Sequence, residues 1–455
     1  MNVLLTHGYF LADDPHEAEL MRPFPPLGLQ YLVAYLRREG VAAEWWDSTW
    51  HPGPAAFPAA IDAAKPALVG FYGHTITRPV TAGMVAEVTG RGLRVVAGGP
   101  DPVQYLDEYF AMGVEVIVVG EGEVTLAALV AHLQANRGRW DFAALADVPG
   151  LAFRVDGRTV RTAARPLIRP LDSLPWPHRD RADLSAYFAA WRARHGETAM
   201  SMTTSRGCPF HCAWCSKQVY GDTFRRRDPD AVIDELLAVK AEYAPDQLWF
   251  VDDMFTLNRT WVDRFCERMV VRGAQTPFYI IGRAETLEAG QLARLRAAGC
   301  YRIYVSAESG ADHVLDAMKK GTSVAELRQA GRLLREAGIE MGAFVMLGYP
   351  EESHRDVLAT RDLLRDLDPA VTLVSLAHPM KGTPFYDVVK DRVTGQRGGR
   401  LTWEMARSPR YYDAAQRMLW ADEARRRAEG PVEGAGAMGR YAWWRAVMAA
   451  EARRG

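Results

Sequence analysis

The chain of 455 residues is poor in cysteine, with five in all, and their spacing makes no disulfide framework. Three of them, Cys208, Cys212 and Cys215, fall within eight residues; an odd, clustered set suits a metal site better than cross-links. Charge of one sign is missing too: 55 Lys and Arg oppose 56 Asp and Glu, a formal net charge of −1. That balance excludes the broad positive field of a nucleic-acid binder, and the short basic run Arg225-Arg226-Arg227 reads as a solvated loop. No apolar run reaches the ~20 residues of a membrane span. The start, Met1-Asn2-Val3-Leu4-Leu5, lacks the flanks of a secretory signal, so the chain reads as cytoplasmic. Two phosphate-binding signatures are also absent. His7-Gly8-Tyr9-Phe10 stands where a dinucleotide fingerprint would follow the first strand, and no Walker A loop occurs.

What is present is ample apolar material, 48% of residues, in a chain long enough for two or three domains. Residues 1–135 alternate strands (3–6, 43–47, 68–72, 95–97, 114–119) with amphipathic helices. One helix is 27–39, where Leu29, Leu32, Val33 and Leu36 recur at helical spacing. This α/β pattern predicts a doubly wound, Rossmann-like parallel sheet with ligands at the carboxyl ends of its strands. Those ends carry His7-Gly8, Gly73-His74-Thr75, Gly98-Gly99-Pro100 and Gly120-Glu121-Gly122-Glu123. Residues 136–195, with five prolines and Asp156-Gly157 between two short runs, predict a linker with a small hairpin.

A second βα series fills 196–385. Its strands are expected at 200–204, 248–251, 278–282, 302–307, 342–347 and 372–376, with helices between them. Six units fall short of the eight of a closed barrel, so a partial (β/α)6 barrel of TIM type is expected. Residues 386–455 read as a helical extension, with a flexible break at 395–399 and helices over 414–429 and 437–454. Its aromatics, Trp403, Tyr411, Tyr412, Trp420, Tyr441, Trp443 and Trp444, either pack these helices or line a flat apolar pocket. Tyr301 and Tyr304 face either the barrel cavity or its helices. Cys266 and Cys300 read as small buried hydrophobes.

The segment Thr204-Ser205-Arg206-Gly207-Cys208-Pro209-Phe210-His211-Cys212-Ala213-Trp214-Cys215 directly follows the first strand of this series. Thiolates suit iron–sulfur clusters, and three ligands on four irons leave one iron open to a further ligand. The competing reading is a structural zinc loop with His211 as fourth ligand. Zinc ligands normally come as two separated pairs, and no second pair exists in the chain.

This CxxxCxxC loop, with an aromatic before its last cysteine, resembles that of radical S-adenosylmethionine (SAM) enzymes. The resemblance implies that Cys208, Cys212 and Cys215 hold a 4Fe–4S cluster that cleaves SAM, and that Trp214 contacts the adenine. It places further SAM-binding groups at later strand ends: Asp252 and Asp253 for the methionine amino end, and Arg283 to pair with the substrate or the methionine carboxylate. Ser306 and Glu308 would serve ribose or methionine, and Gly348 the adenine. The doubly wound domain ahead of this core resembles the cobalamin-binding radical enzymes, in the branch containing the anaerobic magnesium-protoporphyrin ester cyclase. Pro25-Pro26-Leu27-Gly28-Leu29 and Ser216-Lys217 carry that likeness.

Cobalamin would then meet His74, Thr75, Gly98, Gly99, Gly120, Glu121 and Gly122. The Asp-x-His-x-x-Gly cobalt-ligating run is absent, leaving His74, then His7, as the histidines able to approach cobalt. The resemblance implies radical modification of an unactivated carbon in a small molecule. Cobalamin-dependent methylation stands first, and oxidation or cyclisation of a tetrapyrrole-like or natural-product substrate is the alternative. A flavodoxin- or ferredoxin-type electron donor is implied as partner.

Overall fold

The computed structural model describes residues 1–453 except Gln218 and Glu429. Two compact units divide the chain. The first comprises Met1–Pro209, Ser216–Leu248 and Gln396–Arg400; the second comprises Phe210–Cys215, Trp249–Gly395 and Leu401–Gly455.

In the first unit, strands β1 (Asn2–His7), β2 (Ala42–Trp46), β3 (Leu68–Tyr72), β4 (Arg94–Gly98) and β5 (Val116–Val118) pair in parallel in the order β2-β1-β3-β4-β5. Residues alternate across the pleat. Val3, Leu5, Leu68, Val96 and Val116 pack on one face with Leu29, Val33 and Leu36 of helix Leu27–Arg38 and with Leu129 and Leu133 of helix Gly122–Ala135. Leu4, Val69, Phe71, Val95 and Ile117 pack on the other with Ile61, Met84, Val88 and Tyr109. Both faces are covered, so the strands are near-continuous apolar runs, and the expected doubly wound sheet is present.

The hairpin expected in the 136–195 stretch is β6 (Leu151–Val155) and β7 (Arg158–Arg161). It extends the sheet antiparallel at the β5 edge, because Ala152 and Phe153 each find one of the two cores. The same stretch also contains a helix, Arg181–His195, capped by the Asp180 side chain.

The second βα series yields all six expected strands: β8 (Ala199–Met202), β11 (Gln247–Phe250), β12 (Phe278–Gly282), β13 (Cys300–Glu308), β14 (Glu340–Leu347) and β15 (Val371–Leu376). Between the first two lie the short antiparallel strands β9 (Ser205–Arg206) and β10 (Arg225–Arg226). The six form one sheet in sequence order, β8-β11-β12-β13-β14-β15, an open partial barrel. Apolar residues at period two (Phe278, Ile280; Ile303, Val305; Ala343, Val345) are buried.

The alternate positions carry an aromatic row in which Trp249 stacks on Tyr279, Tyr279 meets Tyr304, and Tyr304 stacks on Phe344, with centroids 5.3–5.9 Å apart. Gly342 makes room for it, since a Cβ there would lie 2.4 Å from the Tyr304 ring. Tyr304 therefore belongs to the aromatic face, and Ile303 to the core.

The break expected at 395–399 is instead a hairpin, β16 (Val393–Arg397) and β17 (Arg400–Trp403), turned by Gly398-Gly399 with both residues at positive φ. The terminal helices run Pro409–Arg427 and Pro431–Ala452; the expected ends at 429 and 454 lie outside the described residues. Of the C-terminal aromatics, Trp403, Tyr411, Tyr412 and Tyr441 are buried, whereas Trp420 and Trp443 are exposed. Cys266 and Cys300 are buried as expected, and none of the five cysteines is in a disulfide.

Candidate functional site

The three-cysteine loop begins at a tight point of the chain. Gly207 has φ +86, and a Cβ there would fall 2.1 Å from the Thr223 carbonyl oxygen, so only glycine passes this point ahead of Cys208. Arg206, just before it, is buried. Its guanidinium donates to Glu121 at 2.7 Å and Glu123 at 2.5 Å. Arg225, paired with Arg206 across β9–β10, donates to the other Glu121 oxygen at 2.8 Å, and the Ile168 N–H donates to that same oxygen. These bonds hold the Glu121 carboxyl below the usual carboxylate range against the opposing effect of burial.

The structure thus corrects the reading of the basic run as a solvated loop. Arg225 is buried on Glu121, and Arg227 is buried on Glu235 and Asp172. It also gives Glu121 a different use from the expected one, because its carboxylate is spent on arginines. Burial and charge together drive this, since a guanidinium out of water is tolerated only when paired and hydrogen-bonded.

At the carboxyl edge of the doubly wound sheet, the two candidate histidines differ. His7 is buried, its Nε2 3.0 Å from the Asp47 carboxylate, while its Nδ1 accepts from the Tyr9 N–H at 3.2 Å and lies 3.0 Å from the Ser48 hydroxyl. Both ring nitrogens are used. His74, on the loop after β3, is exposed; its backbone bonds to Thr77 and its ring makes no hydrogen bond among the described residues. Next to it Thr75 donates to Asp101, a buried carboxylate also held by Arg78 and Tyr109.

Gly99, at φ +102, passes 2.8 Å (as a built Cβ) from the Gly73 oxygen, and Gly98 before it is half-buried. Gly120 is at φ +84, and Gly122 opens helix Gly122–Ala135 against Leu32. The exposed Tyr72 and His74 beside these glycines fit a bulky planar ligand lying on this edge.

In the second unit, the Ala213 N–H donates to the Met318 carbonyl and the Ala213 carbonyl accepts from the Phe385 N–H, fixing the loop between Cys212 and Cys215. All three loop cysteines are half-buried. The Trp214 Nε1 is buried with no hydrogen-bond partner among the described residues, and the Lys320 ammonium lies 5.7 Å from its ring centroid. Among the described residues no three His, Cys, Asp or Glu side chains converge on a single-ion position. Three thiols on one loop beside an orphaned indole N–H fit a larger, multi-iron group bound with an organic ligand.

The other expected residues lie at or just after the carboxyl ends of the later barrel strands. Asp252 is buried and Asp253 exposed at the end of β11. Arg283 is buried after β12; it does not pair with Glu308. At the end of β13 a register shift between Ser306 and Glu308 loops the strand out and leaves Glu308 at φ +56. Ser306 is half-buried, while Glu308 turns inward to Lys320 at 3.3 Å, with burial pushing its carboxyl up. After β14, Gly348 at φ +81 donates its N–H to Glu352 at 2.6 Å, and burial pushes the Glu352 carboxyl up to about 8. Sequence reasoning missed Arg206, Lys320, Glu285 and Glu352. Arg206 had a signal, its place beside the cysteine loop; the others had none beyond being charged.

Fold and loop chemistry define a class: a doubly wound domain preceding a partial barrel whose first strand leads into a three-cysteine loop. Residues 18–130 match the B12 binding domain and residues 202–364 match the Radical SAM superfamily. The chain carries a B12-binding domain followed by a radical SAM domain, and is an enzyme whose cofactors are a 4Fe–4S cluster, SAM and cobalamin.

It is 28% identical over 376 residues to an uncharacterized methyltransferase of Pyrococcus horikoshii, covering 80% of this chain and 78% of that one. It is 30% identical over 393 residues to the anaerobic magnesium-protoporphyrin IX monomethyl ester cyclase of Cereibacter sphaeroides, covering 83% of this chain but 62% of the cyclase. The fold is that of TsrM from Kitasatospora setae, a radical SAM methyltransferase solved with cobalamin and a 4Fe–4S cluster. The TM-score is 0.71 at 22% identity, covering 87% of this chain and 79% of that one. Among the described residues no helix is long and apolar enough to cross a membrane.

Proposed function

We propose that this enzyme methylates an unactivated carbon of a small, flat, largely apolar molecule in a cobalamin-dependent radical reaction. The observation that carries the reading is that one chain joins a B12-binding domain to a three-thiol radical SAM loop. When bound, these groups supply a 5′-deoxyadenosyl radical from SAM and a transferable methyl from the corrinoid. Cys208, Cys212 and Cys215 hold the cluster, and Trp214 lies along the adenine with its indole N–H as donor. Asp252 and Asp253 receive the methionine ammonium, a charge-assisted contact. Ser306 orients the ribose, and the Gly348 turn, held by Glu352, presents backbone to the adenine. In the B12-binding domain, Tyr72, His74 and the glycine-rich strand ends would hold the corrin. The names of the Pyrococcus relative and of TsrM agree with methyl transfer.

The aromatic row Trp249–Tyr279–Tyr304–Phe344 supports a flat substrate, since stacked rings present a π surface. It also favours a second reading, oxidation or cyclisation of a tetrapyrrole-like substrate, of which the cyclase relative's name gives the cyclisation. Both readings need a one-electron donor of flavodoxin or ferredoxin type. Anaerobic reconstitution with iron, sulfide and cobalamin, followed by incubation with methyl-deuterated SAM, tests the proposal. The expected result is about four irons per chain, 5′-deoxyadenosine, and deuterated methyl on cobalamin. Zinc in place of iron, or 5′-deoxyadenosine formation surviving replacement of all three loop cysteines by alanine, would overturn it; a product without the label would favour cyclisation.

A further inference from the structure

Arg283 stands apart from the other strand-end residues because every nitrogen of its guanidinium is already committed. Its backbone leaves β12 in extended conformation, and the residue is only 5% exposed. Nη1 donates to the Cys212 sulfur at 3.5 Å, Nε donates to Glu285, and Nη2 donates to the Lys320 carbonyl. Its face lies 3.9 Å from the centroid of Phe210, a residue of the cysteine loop itself. One N–H on each nitrogen is thereby engaged, and burial keeps the guanidinium out of open solvent.

We propose that Arg283 is a positioning residue of the cluster loop that sets the cluster's reduction potential through its N–H···S bond to Cys212. The inference rests on Cys212 being a cluster ligand. Reducing the cluster by one electron adds negative charge that its thiolate ligands share, so a donor on one sulfur stabilises the reduced form more than the oxidised form and raises the potential. Glu285, on the same guanidinium, balances much of its net charge and works in the opposite direction. Removing Arg283 therefore makes the cluster harder to reduce, and neutralising Glu285 makes it easier. The electron for this step comes from the external donor, which is oxidised by one electron as the cluster is reduced.

The experiment is a redox titration of the reconstituted full chain without SAM, followed by electron paramagnetic resonance, for wild type, Arg283→Gln and Glu285→Gln. The expected result is a midpoint moved to more negative potential in Arg283→Gln and to more positive potential in Glu285→Gln. SAM cleavage by Arg283→Gln should fall several-fold with a flavodoxin donor and recover with titanium(III) citrate. If both midpoints match wild type while Arg283→Gln raises the KM for SAM, the residue serves the carboxylate and the inference falls. If Arg283→Gln loads no iron, the Glu285→Gln midpoint decides alone, an unmoved value overturning the proposal. A wild-type chain that takes up no cluster would instead defeat the functional reading on which this one stands.

Discussion

Glu121 offers a direct test of whether the strand-end carboxylates serve the structure or the ligand. Its side chain accepts from Arg206 at 2.7 Å, from Arg225 at 2.8 Å and from the Ile168 N–H at 2.8 Å, and Glu121, Arg206 and Arg225 are all buried. Glu121→Gln keeps the shape but removes the charge facing two guanidiniums. Arg206 retains Glu123, whereas Arg225 loses its only carboxylate among the described residues, and its Nε and Nη2 already have no partner. Removing one member of a buried pair costs about 3–5 kcal/mol. For a folding unit of this size that corresponds to a melting point lower by roughly 6–20 °C.

The native carboxyl titrates below its ordinary value, so the contribution is present above the unfolded carboxylate pKa and is lost as pH falls through the folded one. The difference between wild type and variant should therefore shrink in acid. Calorimetry of the cofactor-free chain at pH 7 and at pH 4 measures both effects. A cycle with Arg225→Gln should show the two changes to be less than additive, because they remove one interaction. A melting point within 2 °C of wild type at pH 7, with cobalamin affinity lost, would refute the structural assignment.

Further outcomes follow from the same geometry. Glu352 titrates near 8 rather than 4.5, so the folded chain holds a proton there that the unfolded chain releases. Its contribution is full below the unfolded pKa and declines as pH rises toward 8, by roughly 3–5 kcal/mol in total. Glu352→Gln should flatten that decline in a series of urea melts between pH 5 and pH 9, and an unchanged slope would refute the buried neutral acid. Gly207→Ala meets the Thr223 carbonyl and an unfavourable φ at about 1–3 kcal/mol of strain. Iron bound after reconstitution should drop by more than half while the far-ultraviolet circular dichroism is kept. Full iron loading would show that the path to Cys208 is not constrained there.

Local residue spacing specifies the elements and the chemistry of the loop. Alternating apolar residues in β1 and β3, and the helical spacing of Leu29, Val33 and Leu36, specify strand and helix through neighbours two to four residues apart, so period alone reveals them. The six strands of the barrel sheet and the three loop cysteines were legible for the same reason. Only the tertiary structure decided which charges meet. Arg206 lies 85 residues from Glu121, and Arg283 lies 71 from Cys212.

Nothing local marks such partners, because a charged side chain looks the same in sequence whether solvated or buried against its counterion. The chain path chose between them. It buried Arg225 and Arg227 where a basic run suggested solvent, closed both nitrogens of His7 while leaving the His74 ring exposed, and turned Glu308 inward through a bulge in β13. A bulge of one residue redirects a side chain to the opposite face, and it depends on the neighbouring strand, not on the residue it redirects.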